Sequence, residues 1–509
     1  MINYTPQNQL SLSLFKHPFQ QELDQENRWV RLAKLVPWDE LATIYSQHLQ
    51  SNAGRQSVNV RTVIAALIIK HKLNLDDRGT VEMIQENIYL QYFCGLKEFT
   101  TQRVFDPSLF VDIRKRLGGE EFDSFNKLVI EKSEQMKPHQ SRIKKKNKSD
   151  DEDQNDSSSS TSSNRGTLKV DATVADQEIR FPTDLNLLNA GREHLERIID
   201  ILYKQSEDVQ KPRDYRRVAR KSYLNISKKK RKGKKLIRKG IKAQLQYIAR
   251  DLKIIDKQTD KAKGLQNISK REKLLLETIK KMYAQQKWMY ENKKNVCANR
   301  IVSLYQPHVR PIVRGKEGRN TEFGSKINAS EVNGFSWVNT LSWDAFNEGC
   351  DLKNQVEDYR KTFNCYPKTL LADGIYLTRE NRKYLKAKGI KIYGKPLGRP
   401  PKQEAQTPAQ KHYKKKKAAE RNHVEAKFGQ AKRGYGLNNI KARLPETSES
   451  WVNAIFFVMN LTQLLKVAQK YPEFFVRILN FLKNDLIRIF FEIFLFNKPK
   501  YLVPIKIKG

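Results

Sequence analysis

Cysteine is scarce in this chain: four residues, Cys94, Cys297, Cys350 and Cys365, in 509. None forms a CxxC pair or stands at zinc-ligand spacing from a histidine. That excludes a readable zinc finger and a disulfide framework, and points to a reducing, cytoplasmic setting. Long uncharged apolar runs are also missing. The most apolar tract, DLIRIFFEIFLFNK (485–498), is too short to span a bilayer and is broken by Arg488 and Glu492. It reads as a buried or oligomer-facing helix, and no membrane partner is expected. The opening stretch MINYTPQNQLSLSLFKHPFQ has no basic segment followed by an apolar core, so no signal peptide is read there. Negative charge is in short supply, with 56 Asp and Glu against 96 Lys and Arg, a net charge of +40. Such a chain repels itself unless a polyanion is near. Because the positive charge is spread over several segments, nucleic acid fits better than a membrane surface.

What is present falls into segments. Residues 28 to about 136 carry apolar stripes at helical spacing, as in VRTVIAALIIKHKLNL (60–75), and Asp106-Pro107-Ser108 is a helix start. These helices suit either a DNA-reading helix-turn-helix or a plain helical packing domain. Residues 139–166 hold a basic block, an acidic block and a serine run with almost no apolar content, the composition of a flexible linker. In TLKVDATVADQEI, Leu168, Val170 and Ala172 alternate with Lys169 and Asp171, which predicts a short strand. A basic helical region follows. Ile237, Ile241, Leu245, Ile248, Leu252 and Ile255 recur at steps of three and four, with Leu275, Ile279, Met282 and Met289 after a polar turn, predicting an antiparallel helical hairpin of coiled-coil type. Arg217, Lys229 and Arg231 lie in the lysine- and arginine-rich part of this region and are candidate phosphate contacts.

The period then switches to two. TEFGSKINASEV and FSWVNTLSW flank Asn333-Gly334, a strong hairpin signal because both central residues of a type I′ turn need positive φ. YPKTLLADG ends a short apolar strand at Asp373, TRENRKYLKAKG reads as a helix and IKIYG as another strand. In AAERNHVEAKFGQAKRGYG (418–436), Arg421, Glu425 and Lys432 fall within roughly 40° of one another on a helical wheel. Taken alone, that trio reads first as a solvated ion-pair ladder, which a charge-rich chain produces by chance. His423 lies on another face, and WVNAIFFVMNLTQLLKVAQK (451–470) is a further apolar helix.

Asp171 on one strand, Asp373 at the end of another and Glu425 on a helix can meet over a sheet. Three clustered carboxylates repel one another unless cations neutralise them, and Mg²⁺ favours a few carboxylates plus substrate phosphates. An acidic pocket in a basic protein therefore suits phosphoryl transfer on DNA.

At this point the chain resembles the DDE transposases of bacterial insertion sequences, in particular the insertion-sequence-five type group. GRQSVNVRTVIAALIIKHKLNLDDRGTVEMIQENIYLQYFCGL resembles that group's helical N-terminal domain. VDATVADQEIRFPTDLNLLN and LLADGIYLTRENRKYL resemble the segments around its first and second catalytic Asp, and RNHVEAKFGQAK fits its R-x₃-E-x₆-K signature. The resemblance implies an α+β/α/β fold: a ribonuclease H-like mixed sheet flanked by helices. The implied parts are a helical DNA-binding or dimerisation domain (1–138), a disordered linker (139–166), a catalytic domain (167–470) with a helical insertion at about 190–298, and an apolar helical tail (471–509). It implies Asp171, Asp373 and Glu425 as catalytic ligands of two Mg²⁺ or Mn²⁺ ions, and Arg421 and Lys432 as contacts to DNA-end phosphates. The partners implied are double-stranded DNA, as terminal inverted repeats and target, and a homodimer or larger assembly on that DNA. The family's usual Tyr three residues before the Arg is replaced by Ala418, a departure that bears on any tyrosine-dependent end contact and not on the metal chemistry. A DNA nuclease without strand transfer needs the same metal ligands, and a non-catalytic DNA-binding derivative needs none of them.

Overall fold

The computed structural model describes residues 3–6, 22–49, 56–137, 164–204, 210–261, 268–313, 321–393 and 408–471. The expected linker lies outside the described residues apart from 164–166, and the expected tail apart from Tyr471.

Seven helices precede the first strand among the described residues: α1 (Arg28–Leu35), α2 (Trp38–Ser46), α3 (Val60–Leu73), α4 (Asp77–Glu86), α5 (Ile88–Phe93), α6 (Leu109–Arg116) and α7 (Gly119–Gln135). Their starts follow capping chemistry. Asn27, Asn59, Asp76 and Asn87 each accept a backbone N–H of the first turn, satisfying donors that the helix itself leaves unpaired. α3 is buried around nearly its whole circumference, although it carries Arg61, Lys70 and His71. Asp77 answers the charge: it takes Lys70 at 2.8 Å and both terminal nitrogens of Arg114 at 2.9 and 2.8 Å.

The strand region follows. β1 (Thr167–Asp176), β2 (Arg310–Val313), β3 (Thr321–Val332), β4 (Phe335–Ser342), β5 (Thr369–Leu371) and β6 (Lys391–Ile392) form one mixed sheet. β1 lies between β3, antiparallel, and β5, parallel, while β6 pairs in parallel with β5. β4 pairs with Lys326–Val332 of β3, and β2 with Thr321–Gly324. The β3–β4 turn is as expected, with φ of 54° at Asn333 and 90° at Gly334. Gly324 serves another purpose: a Cβ there would stand 1.8 Å from the Ala175 carbonyl oxygen, so only glycine lets β3 approach the end of β1.

Between β1 and β2 stand α8 (Asp184–Lys204), α9 (Arg216–Ser227), α10 (Lys234–Lys261) and α11 (Lys270–Glu291). The two helices expected from the Ile237–Ile255 and Leu275–Met289 stripes are α10 and α11, which pack on each other within a larger group that also holds α8 and α9. α10 packs more extensively on α8 than on α11, and the bundle begins at Asp184. The reason is that α8 has its own apolar face, Leu188, Leu195, Ile198, Ile199 and Leu202, which a hairpin of α10 and α11 would leave in water. Together with Ile248, Ile255, Ile279, Met282 and Leu304 it forms a core separate from the main one.

The remaining helices are α12 (Leu352–Phe363), α13 (Arg379–Ala387), α14 (Pro408–Ala419), α15 (Asn422–Gly434) and α16 (Pro445–Lys470). α16 is long and apolar enough to cross a membrane, yet 72% of its most apolar window is buried within the fold. It packs on α3, α6 and α7 and on β4, so the N-terminal helices and the sheet share one apolar cluster running from Leu23 to Ala468. Asn460, buried in the middle of α16, donates to Asn126 of α7 and to the Ser336 carbonyl of β4, each at 2.8 Å, and accepts the Ser336 N–H at 2.8 Å. One polar side chain thereby fixes the register of three elements.

Candidate active site

The β1–β5 register places the first two acids. Lys169 is opposite Leu371 in the parallel ladder, and two residues further along each chain come Asp171 and Asp373. The pairing ends at Leu371, so Asp373 lies just past the end of β5, on the strand next to the one that carries Asp171. Asp373 there caps a 3₁₀ turn, its carboxylate accepting the Gly374 N–H at 2.7 Å.

The third acid arrives on α15. Val424, Phe428, Ala431 and Tyr435 are buried, and the helix packs on β1. Glu425 lies beside this apolar stripe, at the end of the helix nearer Asp373. Arg421, the N-cap of α15, makes the link: one terminal nitrogen is 2.8 Å from Asp373 Oδ1 and the other 3.3 Å from Glu425 Oε1. Side chains of Asp373 and Glu425 are 61% and 53% exposed, open to a ligand from solvent. Asp171 is more enclosed. Burial pushes its carboxyl up to about 6, with the charges of Glu348 and Glu425 adding, against the Ala172 N–H it accepts at 2.9 Å and the nearby Arg421.

The structure therefore joins Asp373 and Glu425 through Arg421, and sets Asp171 on the adjoining strand within reach of the charges of Glu425 and Arg421. Lys432 does share the helix face, but two turns further on, where it reaches Glu322 at 3.2 Å and Asp176 at 4.0 Å. Arg217, Lys229 and Arg231 are exposed on the inserted bundle, on α9 and in the segment before α10.

Sequence reasoning missed Glu348. It opens a 3₁₀ turn, Glu348–Asp351, between β4 and α12, with Asn347 accepting the Gly349 N–H at 3.0 Å. Lys326 Nζ lies 2.9 Å from its carboxylate. The only available signal was an acid one residue before a glycine at a strand-to-helix junction, a pattern shared with ordinary turns. Behind it, Tyr376 donates to Asn328 Oδ1 at 2.6 Å, and Asn328 donates to Asp351 at 3.2 Å. Burial holds the Tyr376 proton on well above the usual phenol range, with Glu348, Asp171, Asp351 and Asp373 reinforcing it, so Tyr376 is a neutral donor.

Among the described residues, no group of three or more His, Cys, Asp and Glu side chains stands close enough to hold a metal ion. The chemistry of the acids is that of hard-cation ligands, since they offer only oxygen, and in this structure a guanidinium supplies the positive charge to Asp373 and Glu425.

Residues 370–462 match the family described as "Transposase DDE domain", a span that holds Asp373, Arg421, Glu425 and Lys432. Residues 17–116 match "Transposase domain (DUF772)". A protein of Rhizobium meliloti named "Uncharacterized protein ORF8 in nfe locus" is 28% identical over 118 residues, 23% of this chain and 56% of that protein. The chain thus spans a little over half of that relative's length. No solved structure matches it. The two domain matches bear out the resemblance to insertion-sequence DDE transposases read from the motifs.

Proposed function

We propose that this chain is an insertion-sequence transposase that binds terminal inverted repeats, cuts phosphodiesters at the element ends and joins the ends to target DNA. The observation that carries the reading is the meeting of Asp373 and Glu425 on Arg421, all three inside the matched DDE span, with Asp171 on the strand that pairs with β5. The sheet supports a ribonuclease H-like fold: an antiparallel β4–β3–β1 set continued by parallel β5 and β6, with helices on its faces.

Asp171, Asp373 and Glu425 would hold two Mg²⁺ or Mn²⁺ ions, which supply activation of the attacking oxygen and charge stabilisation of the leaving oxygen. The chain's own contribution is placement. Asp373 is fixed by its turn and Asp171 by its strand, while Glu425 comes with a helix locked into the core. Arg421 holds two carboxylates in the free protein and is suited to a DNA phosphate once cations take over that role. The exposed cations of the inserted bundle would hold the duplex backbone. In the first step water attacks the end phosphate and the P–O3′ bond breaks, leaving a 3′-hydroxyl on the element. In the second that hydroxyl attacks a target phosphate, and the bond to the target's own 3′ oxygen breaks. Paired ends require two or more copies of the chain on DNA.

The test is incubation of the purified chain with element-end DNA, a target plasmid and Mg²⁺ or Mn²⁺. Joined product from wild type but not from Asp373→Asn supports the reading. Cleavage without joining makes the protein a nuclease, and binding without cleavage in either metal makes it a non-catalytic DNA-binding protein.

A further inference from the structure

We propose that the cleft between α15 and the β3–β4 turn, continued by Lys466 and Lys72 toward the N-terminal helices, seats the phosphodiester backbone of DNA. The inference rests on DNA as the partner of this chain and not on the metal chemistry of the acids, from which the cleft is separated by the width of α15.

The helix itself makes that separation. At about 100° per residue, His423, Lys427 and Gln430 lie roughly 140–200° round α15 from Glu425, so one polar face turns to the acids and another to the cleft. The cleft encloses about 660 Å³, and its walls include these three side chains with Lys169, Glu331 and Gly334. Glu331 does not make it acidic. Its carboxylate is buried, with one oxygen 2.6 Å from Lys169 Nζ and the other accepting the Gly334 N–H at 2.5 Å. Lys427 is left as the uncompensated charge.

α16 carries the positive surface onward. A Cβ on Gly334 would stand 2.5 Å from Gln463 Nε2, so α16 abuts the cleft wall there. Beside Gln463, Thr462 accepts Lys72 Nζ of α3 at 2.8 Å and the Tyr435 hydroxyl at 3.1 Å. Lys466 stands one helical turn beyond Thr462. The ends of α3 and α15 are held close, since a Cβ on Gly436 would stand 2.5 Å from Asn74 Oδ1.

The distribution of acids is the second support. Enclosed cations elsewhere in the fold are answered: Lys70 and Arg114 by Asp77, Lys326 by Glu348, Arg192 by Glu196. Among the described residues, Arg28, Lys72, Lys427 and Lys466 have no carboxylate within ion-pair distance. Burial, with the charges of Arg28 and Lys466 adding, brings the Lys72 ammonium down to about 8. Cations that repel one another lower the stability of the free protein, and a chain of phosphates relieves them at several points together. A free phosphate meets Lys427 alone, whereas a polymer follows the row from α15 to α3.

The experiment measures binding of the full-length protein to a labelled random-sequence DNA duplex in EDTA, with NaCl varied. It compares wild type, Lys466→Glu, the Lys72→Gln/Lys427→Gln/Lys466→Gln triple variant and the Lys427→Arg/Lys466→Arg double variant. The salt-dependence slope should fall by about 2 to 3 in the triple variant and by about 1 in Lys466→Glu, and stay at the wild-type value in the arginine variant. Without DNA, the triple variant should melt no lower than wild type. Wild-type slopes in both the triple variant and Lys466→Glu overturn the proposal, while binding by wild type keeps DNA as the partner. A slope lost only in the triple variant, together with a lowered melting temperature, makes these lysines structural and also overturns it. Calorimetry with inorganic phosphate gives the last arm: saturation at millimolar concentration in wild type but not in the triple variant assigns the cleft to a free anion instead. If wild type binds no duplex at any salt concentration, the DNA reading itself falls, and this proposal with it.

Discussion

Asp171→Asn should make the metal-free protein more stable at neutral pH. Asparagine has the shape of the protonated acid and keeps the oxygen that accepts the Ala172 N–H at 2.9 Å. The folded protein pushes this carboxyl from 3.8 up to about 6 through burial first and the charges of Glu348 and Glu425 second. A raised acid favours the folded state most below its unfolded pKa, and that advantage is lost as pH rises through the folded value. Above pH 6 wild type therefore carries an ionised Asp171 in an unfavourable place, and the variant does not. Roughly two pKa units correspond to about 3 kcal/mol. Partial solvent screening brings the expected gain to about 1–3 kcal/mol. The assay is thermal or denaturant unfolding in EDTA at pH 8 and at pH 4. The gain should be present at pH 8 and absent at pH 4. Adding millimolar Mn²⁺ at pH 8 should reverse the order, because binding to the folded state stabilises wild type by RT ln(1 + [L]/Kd) and the variant has lost the ligand. A variant less stable than wild type at pH 8, or a difference that does not change with pH, would refute this account of Asp171.

Three further outcomes follow from the geometry. Arg421→Gln removes the cation now held by Asp373 and Glu425, so Mn²⁺ binding without DNA should tighten by about two- to fivefold while cleavage of element ends falls; a titration paired with a cleavage assay reads both, and weaker Mn²⁺ binding would contradict the competition. Asn460→Ala strands a buried Asn126 oxygen and the Ser336 N–H and carbonyl, and should cost about 3 kcal/mol in denaturant unfolding; a loss under 1 kcal/mol would show that α16 is held by its apolar surface alone. Replacing Arg217, Lys229 and Arg231 together by Ala should leave stability within about 0.5 kcal/mol and lower the salt-dependence slope of DNA binding by about 2 to 3. An unchanged slope would remove these residues from the DNA-binding surface.

Local elements were legible because local chemistry sets them. The alternation at Leu168, Val170 and Ala172 marked β1, and Asn333-Gly334 marked the β3–β4 turn through the positive φ both positions adopt. The stripe from Ile237 to Ile255 marked α10, but a stripe names a buried face and not its partner, so α8 was missed as the centre of the inserted bundle. In the same way VRTVIAALIIK and AIFFVMNLTQLL announced buried helices without saying that α16 joins the N-terminal helices to the sheet.

The site divides along the same line. Sequence alone determined which acids to consider, because Asp373-Gly374 and the Arg421–Glu425 spacing are fixed by turn and helix geometry over a few residues. It also determined the chain's positive charge and hence an expectation of nucleic acid. Only the tertiary structure decided that β1 and β5 are paired neighbours, that Arg421 reaches both Asp373 and Glu425, and that Lys432 goes to Glu322. It alone brought in Glu348, whose turn meets that of Asp373 through Gly349 and Asn381. The physical reason is range: dihedral preferences and helical period act over a few residues, whereas convergence of carboxylates depends on packing between segments some two hundred residues apart in the chain.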